Sequence, residues 1–318
     1  MSVSRPLLVR LHNWIGDVVV GVPALRLLAA HGIAPTLVGK PWAASLLAGH
    51  GWTVHALEPG LRARGRQWRR LRASQAPRLA DGIDALLLAT SFSSALECRL
   101  GGVRPIGYDT DLRGALLARS VPRPHGVHAL EEAWRLACRF LGVGDPPPPA
   151  SIGLVAAPEA VRSAKTRLAA HGVASGFVVL CPFATGRFEG RSKAWPGFSE
   201  LAARLAAAGM RTVVCPGPGA EEAAARADFP ASVVLDGVPL GEYAALLGMA
   251  TQVVANDTGP GHIAAAVGAP LISVLGPTDA ARWAPWGPTV RVVQRGPTVW
   301  PAVDEVLALA GSTSAQTP

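Results

Sequence analysis

Short apolar runs recur along this chain, each followed by a stretch that reads as a helix, and this rhythm restricts the fold more than any other feature. In the first half "PLLVRL" precedes a helix predicted over 18–30, "APTLVG" one over 42–49, "TVHAL" an arginine-rich segment, and "IDALLLAT" one over 93–100. Runs that are apolar on both faces, each followed by a helix, belong to a parallel sheet covered on both sides. A helix over 128–141 is followed by "GVGDPPPPAS", where four consecutive prolines can neither continue a helix nor pair within a sheet. The rhythm then restarts with "FVVLCP", "RTVVCPGP", "ASVVLDG", "TQVVAND" and "APLISVLGP". The expected architecture is α/β, with two Rossmann-like domains over 1–145 and 152–318, a proline-rich linker over 146–151, and parallel sheets facing across a cleft. A last helix over 302–310 is expected to pack back on the first domain.

The composition agrees with a globular chain, since 49% of residues are hydrophobic and 16% charged. No apolar run approaches the ~20 residues of a membrane span, and Arg10, His12 and Asp17 interrupt any signal-peptide core, so a cytosolic protein is expected. Cys98, Cys138, Cys181 and Cys215 lack metal-site spacing and read as reduced core residues. The formal net charge of +8 points to acidic partners. Much of it crowds into "LRARGRQWRRLRA", with Arg62, Arg64, Arg66, Arg69, Arg70 and Arg72. That segment is either a solvated helix face or a docking surface for phosphates, to which the planar guanidinium is well matched. It lacks the interleaved aromatics of a base-stacking surface, so nucleic acid is not expected as a partner.

Ligands of such sheets bind beyond the carboxyl ends of the strands, and four loops there carry unusual chemistry. "NDTGPGHIAAAVGAP" offers Asp257 or Thr258 as caps for a helix beginning near Gly259, with Gly261 and His262 close by. An oxygen-rich anion such as a diphosphate suits that helix start. "RLHNWIGDVVV" puts Asp17 at a helix start, where the dipole keeps a carboxylate ionised and able to act as a general base. "CPFATGRFEGRSKAWP" presents Thr185, Gly186, Arg187, Arg191 and Lys193, a natural phosphate loop. "CPGPGAEE" places Glu221 or Glu222 where an acidic side chain can accept ribose hydroxyls. Each also has a plain structural reading as a capped helix or a solvated loop. No full G-x-G-x-x-G supports a dinucleotide site.

Together with "SFSSAL" and "IGYDTDLRGALL", these segments resemble glycosyltransferase family 9, the ADP-heptose:lipopolysaccharide heptosyltransferases, with the heptosyltransferase II branch nearest. The resemblance implies the two-domain glycosyltransferase-B fold, with donor bound by the second domain and acceptor by the first. It also implies an inverting transfer without a metal or other cofactor. Asp17 then matches the catalytic base and Lys193 the group that neutralises the departing diphosphate. Thr185, Gly186, Glu221, Asp257, Thr258, Gly259 and His262 fall among the donor contacts. Arg62, Arg66, Arg69, Arg70, Ser93 and Arg113 are expected to contact a phosphorylated lipid A and inner-core acceptor, making the protein a peripheral visitor to the cytoplasmic membrane face. The chain departs from the family pattern at Pro182-Phe183-Ala184 and in the extra residues before Lys193, where Phe183 is expected to reshape the donor pocket. Competing readings are transfer of another sugar, a nucleotide-sugar epimerase on the same fold, and a non-catalytic binding protein.

Overall fold

A computed structural model describes residues 5–75, 82–173 and 175–311. The chain forms two compact units, residues 1–149 and 150–318. The tail reads as disordered over 311–318 in the sequence; Gly311 ends the last helix, and 312–318 lie outside the described residues.

The first unit contains β1 (Arg5–Arg10), α1 (Ile15–Val20), α2 (Val22–Ala30), β2 (Ile33–Gly39), α3 (Ala43–Leu47), β3 (Thr53–Ala56), α4 (Leu61–Ser74), β4 (Ala85–Leu87), α5 (Phe92–Leu100), β5 (Pro105–Tyr108), β6 (Arg119–Val121) and α6 (Ala129–Leu141). Its six strands are all parallel, in the order β3-β2-β1-β4-β5-β6. The chain reverses its direction of travel between β1 and β4, so the loop after β1 opens at the point where such sheets hold ligands. The helix predicted over 18–30 is two helices. Pro23, near the start of α2, has no N–H to give to the preceding turn, and Gly21 joins the pieces. β5 and β6 escape the apolar pattern because each is short, and β5 begins with Pro105 and contains Gly107.

The second unit contains α7 (Pro158–Ala170), β7 (Phe177–Cys181), β8 (Arg187–Phe188), β9 (Arg191–Ser192), α8 (Phe198–Ala207), β10 (Arg211–Val214), α9 (Ala220–Asp228), β11 (Val233–Val234), α10 (Leu240–Met249), β12 (Gln252–Asn256), α11 (Gly259–Ala266), β13 (Leu271–Leu275), α12 (Ala280–Trp283), β14 (Val290–Gln294) and α13 (Val303–Gly311). Its sheet is again parallel, ordered β11-β10-β7-β12-β13-β14, with the switch point between β7 and β12. β7, β12 and β13 are buried along their whole length, as their unbroken apolar sequences require. The residues before Lys193 form a small antiparallel hairpin, β8 with β9, turned by Glu189 and Gly190 in left-handed conformations. In the last helix, α13, Val306 and Ala310 pack into the core of their own unit, against α8 and β13. Among the described residues no helix is long and apolar enough to cross a membrane, and all four cysteines are free thiols.

Candidate functional site

The switch point of the second sheet gathers its most concentrated chemistry. Asp257 directly follows β12, Lys193 ends the long loop after β7, and Thr278 lies beyond β13. Lys193 Nζ stands 2.6 Å from Asp257 Oδ2, and Thr278 Oγ1 donates to the same oxygen at 2.6 Å. His262 Nε2 lies 3.9 Å from Oδ1. Asp257 and Thr278 are buried and Lys193 is 21% exposed, so the ammonium is held at a surface with its counter-charge behind it.

This arrangement corrects the sequence reading of Asp257 as a helix cap. Its carboxylate is turned to Lys193 and Thr278, and Thr258, in the N-cap position of α11, makes no side-chain cap either; its Oγ1 donates back to Asn256 O at 3.4 Å. The first-turn N–H groups of α11 therefore remain without a side-chain cap. Gly261 is buried where a side chain would crowd the strand end, since a Cβ there would lie 3.1 Å from Asn256 O and 3.4 Å from Ala255 Cβ. An uncapped helix start beside a fixed ammonium is a receptor for an anion.

Asn256, which the sequence reading passed over, braces the site. Buried completely, it accepts from Trp195 N at 2.9 Å and donates to Pro182 O at 2.6 Å, closing both ends of the loop that carries Lys193. Trp195 Nε1 donates to Pro301 O at 2.9 Å and fixes the loop from the other side. Thr278, just beyond β13, was also missed; only the fold reveals that β13 lies next to β12. Gly186 lies near Lys193, since a Cβ there would be 3.9 Å from Lys193 Cδ, and Thr185 is exposed beside it. Arg187 turns to Gly190 O within its own hairpin and Arg191 to Pro297 O, so of the loop's cations Lys193 alone reaches Asp257. Phe183, partly buried, packs on the core edge-on to Phe229, with ring centroids 6.2 Å apart. Glu221 Oε2 accepts from Gly217 N at 2.7 Å, so the loop it closes orients the carboxylate.

In the first unit Asp17 lies in the first turn of α1, half-buried, at the carboxyl end of β1. The loop leading to it is tied down by Arg10, another residue the sequence reading did not select. Arg10 is buried, pairs with the fully buried Glu97 at 2.8 Å, and donates to Asn13 Oδ1 at 3.0 Å and to Leu11 O. Glu97 also binds Arg64 at 3.3 Å, linking β1, α4 and α5. Within this cationic surround His12 is pushed down to about 4 by burial, then by Arg10, Arg123 and Arg113, and is neutral at pH 7.

The predicted acceptor residues divide. Arg62, Arg66, Arg69 and Arg70 lie on the exposed side of α4 and Ser93 is exposed at the start of α5. Arg113 does not join them. It is completely buried, donating to Tyr108 O at 2.7 Å, to Ser94 Oγ at 2.9 Å and to Ala89 O, and burial lowers it to about 10. Its cationic fork braces the loops after β4 and β5. A short sequence motif cannot distinguish an arginine that faces a ligand from one folded under its own loop.

A sequence profile described as "Glycosyltransferase family 9 (heptosyltransferase)" matches residues 64–305. Among curated relatives, the lipopolysaccharide heptosyltransferase 1 of Pseudomonas aeruginosa is 30% identical over 295 residues, 86% of this chain and 79% of that protein. A lipopolysaccharide heptosyltransferase 3 of Escherichia coli is 34% identical over 124 residues, a match covering 36% of this chain and only 35% of that relative. The solved structure of the E. coli ADP-heptose lipopolysaccharide heptosyltransferase II superposes with a TM-score of 0.80 at 21% identity, over 98% of this chain and 99% of that one. A family 9 structure from Veillonella parvula gives 0.83 at 16% identity, over 99% and 98%. At these identities the structural likeness carries the glycosyltransferase-B fold alone.

Proposed function

Because the chain belongs to glycosyltransferase family 9, we propose that it moves a heptose from ADP-heptose to the inner core of lipopolysaccharide by an inverting, metal-independent displacement. The observation that carries this reading is the uncapped start of α11 beside the Lys193–Asp257–Thr278 cluster. It supports an anionic leaving group in the second unit, residues 150–318, and leaves the acceptor to the first, residues 1–149. An E. coli relative has been solved with ADP.

In the proposed step, Asp17 takes the proton of an acceptor hydroxyl while its oxygen forms a bond to the anomeric carbon. The bond from that carbon to the diphosphate breaks on the opposite face, and its electron pair leaves with ADP, which inverts the centre. Negative charge grows on the diphosphate as the bond breaks. Lys193 and the backbone N–H groups of Gly259 and Gly261 meet that charge already oriented, so no reorganisation is needed during the reaction. Asp257 and Thr278 hold the ammonium in place and His262 completes the pocket. Thr185 and Gly186 flank the diphosphate, while Glu221, steered by Gly217 N, receives the ribose hydroxyls. The arginines of α4 and Ser93 receive the phosphates of a lipid A and inner-core acceptor at the cytoplasmic face of the membrane.

The test is a thermal-shift series with ADP, UDP and GDP in EDTA, followed by transfer assays with ADP-heptose. Binding to the native state raises apparent stability, so ADP alone is expected to shift the transition. Asp17→Ala should keep that shift and lose transfer by about two to four orders of magnitude. A shift with UDP in place of ADP would remove ADP-heptose as the donor.

A further inference from the structure

Among the described residues, the first unit leaves five large apolar side chains exposed, and four of them stand at one edge of its sheet. Trp14 (76% exposed) follows β1, Leu61 (37%) follows β3, Phe92 (42%) follows β4 and Leu112 (94%) follows β5. All four belong to the loops and helix starts at the carboxyl ends of the strands, the edge that also carries Asp17. The strands β1, β4 and β5 are consecutive in the sheet, so the loops bearing Trp14, Phe92 and Leu112 are neighbours. Two of those loops are bonded directly: Phe92 N donates to Asp111 Oδ2 at 2.9 Å, and Thr110 Oγ1 to Thr90 O at 2.7 Å. Asp111 and Leu112 both hold positive φ angles, 56° and 58°, so the loop that displays Leu112 has a fixed and unusual shape.

Four of the five exposed large apolar side chains gathered at one sheet edge mark a ligand contact. The charge beside it indicates which kind. Arg64, Arg69, Arg70 and Arg72 of α4 are engaged with Glu97, Leu100 O, Glu58 and Asp84. Arg62 and Arg66, in the first two turns next to Leu61, have no ion-pair or side-chain hydrogen-bond partner among the described residues. Exposed aromatic and aliphatic side chains on neighbouring loops, with unengaged guanidinium groups at the same sheet edge, fit an occupant with an apolar ring face and negative groups around it. We infer that Trp14, Phe92 and Leu112 form a platform on which the C–H face of a phosphorylated acceptor glycan rests, with its phosphates turned to Arg62 and Arg66. The inference rests on the reading of Asp17 as the base that this acceptor must reach, and it makes Trp14 a determinant of acceptor choice.

The probe is a de-acylated, phosphorylated lipopolysaccharide core oligosaccharide, titrated by calorimetry into the full chain without donor. Trp14→Ala and Leu112→Asn alter exposed side chains, and asparagine tolerates the left-handed backbone at 112. Each is expected to weaken oligosaccharide binding tenfold or more while leaving the ADP thermal shift unchanged. Arg62→Gln with Arg66→Gln should weaken the phosphorylated probe and leave a dephosphorylated one unaffected. Binding by Trp14→Ala within twofold of the parent, or no binding by the parent, would overturn the platform. So would a loss confined to co-sedimentation with anionic vesicles, which would make this edge a bilayer contact. If the parent binds the oligosaccharide through Trp14 but transfers nothing from ADP-heptose, the platform stands and the proposed reaction fails.

Discussion

Asp257 shows how much one side chain's direction matters. At a helix start, an aspartate can satisfy the first N–H groups or leave them to a ligand, and here its carboxylate is committed to Lys193 and Thr278. Lys193→Ala is expected to lower kcat by about 100-fold or more, the usual loss when one preorganised stabilising donor is removed. The same change leaves a buried carboxylate without its cation, so the melting temperature should fall as well. Thr278→Val removes only the hydroxyl donated to Asp257 and should cost about 1 kcal/mol in denaturant unfolding. Lys193 and Asp257 were both legible in the sequence, but their pairing was not, because 64 residues separate them and only the adjacency of β7 and β12 brings their loops together.

Elements in the first unit meet at distances that permit no extra atoms. α4 and α5 approach so closely that a Cβ on Gly101 would lie 2.5 Å from Trp68 Cβ and 2.9 Å from Gly65 O, and one on Gly65 would lie 2.9 Å from Leu100 Cβ. Gly101 has ordinary right-handed backbone angles, so Gly101→Ala tests packing and not conformation. It should destabilise the fold by about 1–3 kcal/mol, the usual cost of overpacking, measured by urea unfolding. Under this contact lies the chain Arg10–Glu97–Arg64, which joins β1 to both helices and steadies the loop entering α1. Glu97→Ala strands a buried arginine and is expected to cost about 3–5 kcal/mol.

The whole molecule should respond to acid through its histidines. Burial is the leading cause that pushes His12 and His50 down to about 4, whereas an unfolded chain takes up these protons near 6.5. Between those values the unfolded state holds more protons than the native state, so stability falls as pH is lowered from about 6.5 to about 4 and is unaffected by these groups above that window. The slope is on the order of 1 kcal/mol per pH unit for a fully engaged histidine. His12→Gln cannot take up the proton, so its stability should decline less steeply than the parent's across that window, as read by melting temperature at a series of pH values. Equal slopes would show that His12 stays solvated.

What the sequence determined by itself was whatever local chemistry can enforce. Unbroken apolar runs require a parallel sheet buried on both faces, and four prolines require a break. What only tertiary structure decided was direction and neighbourhood. It turned Arg113 inward to brace two loops and Phe183 onto Phe229, made Asn256 the clasp of the Lys193 loop, and placed Thr278 beside Asp257. The physical reason is that a buried polar group is fixed by partners that satisfy it, and in a parallel sheet those partners come from strands far apart in the chain.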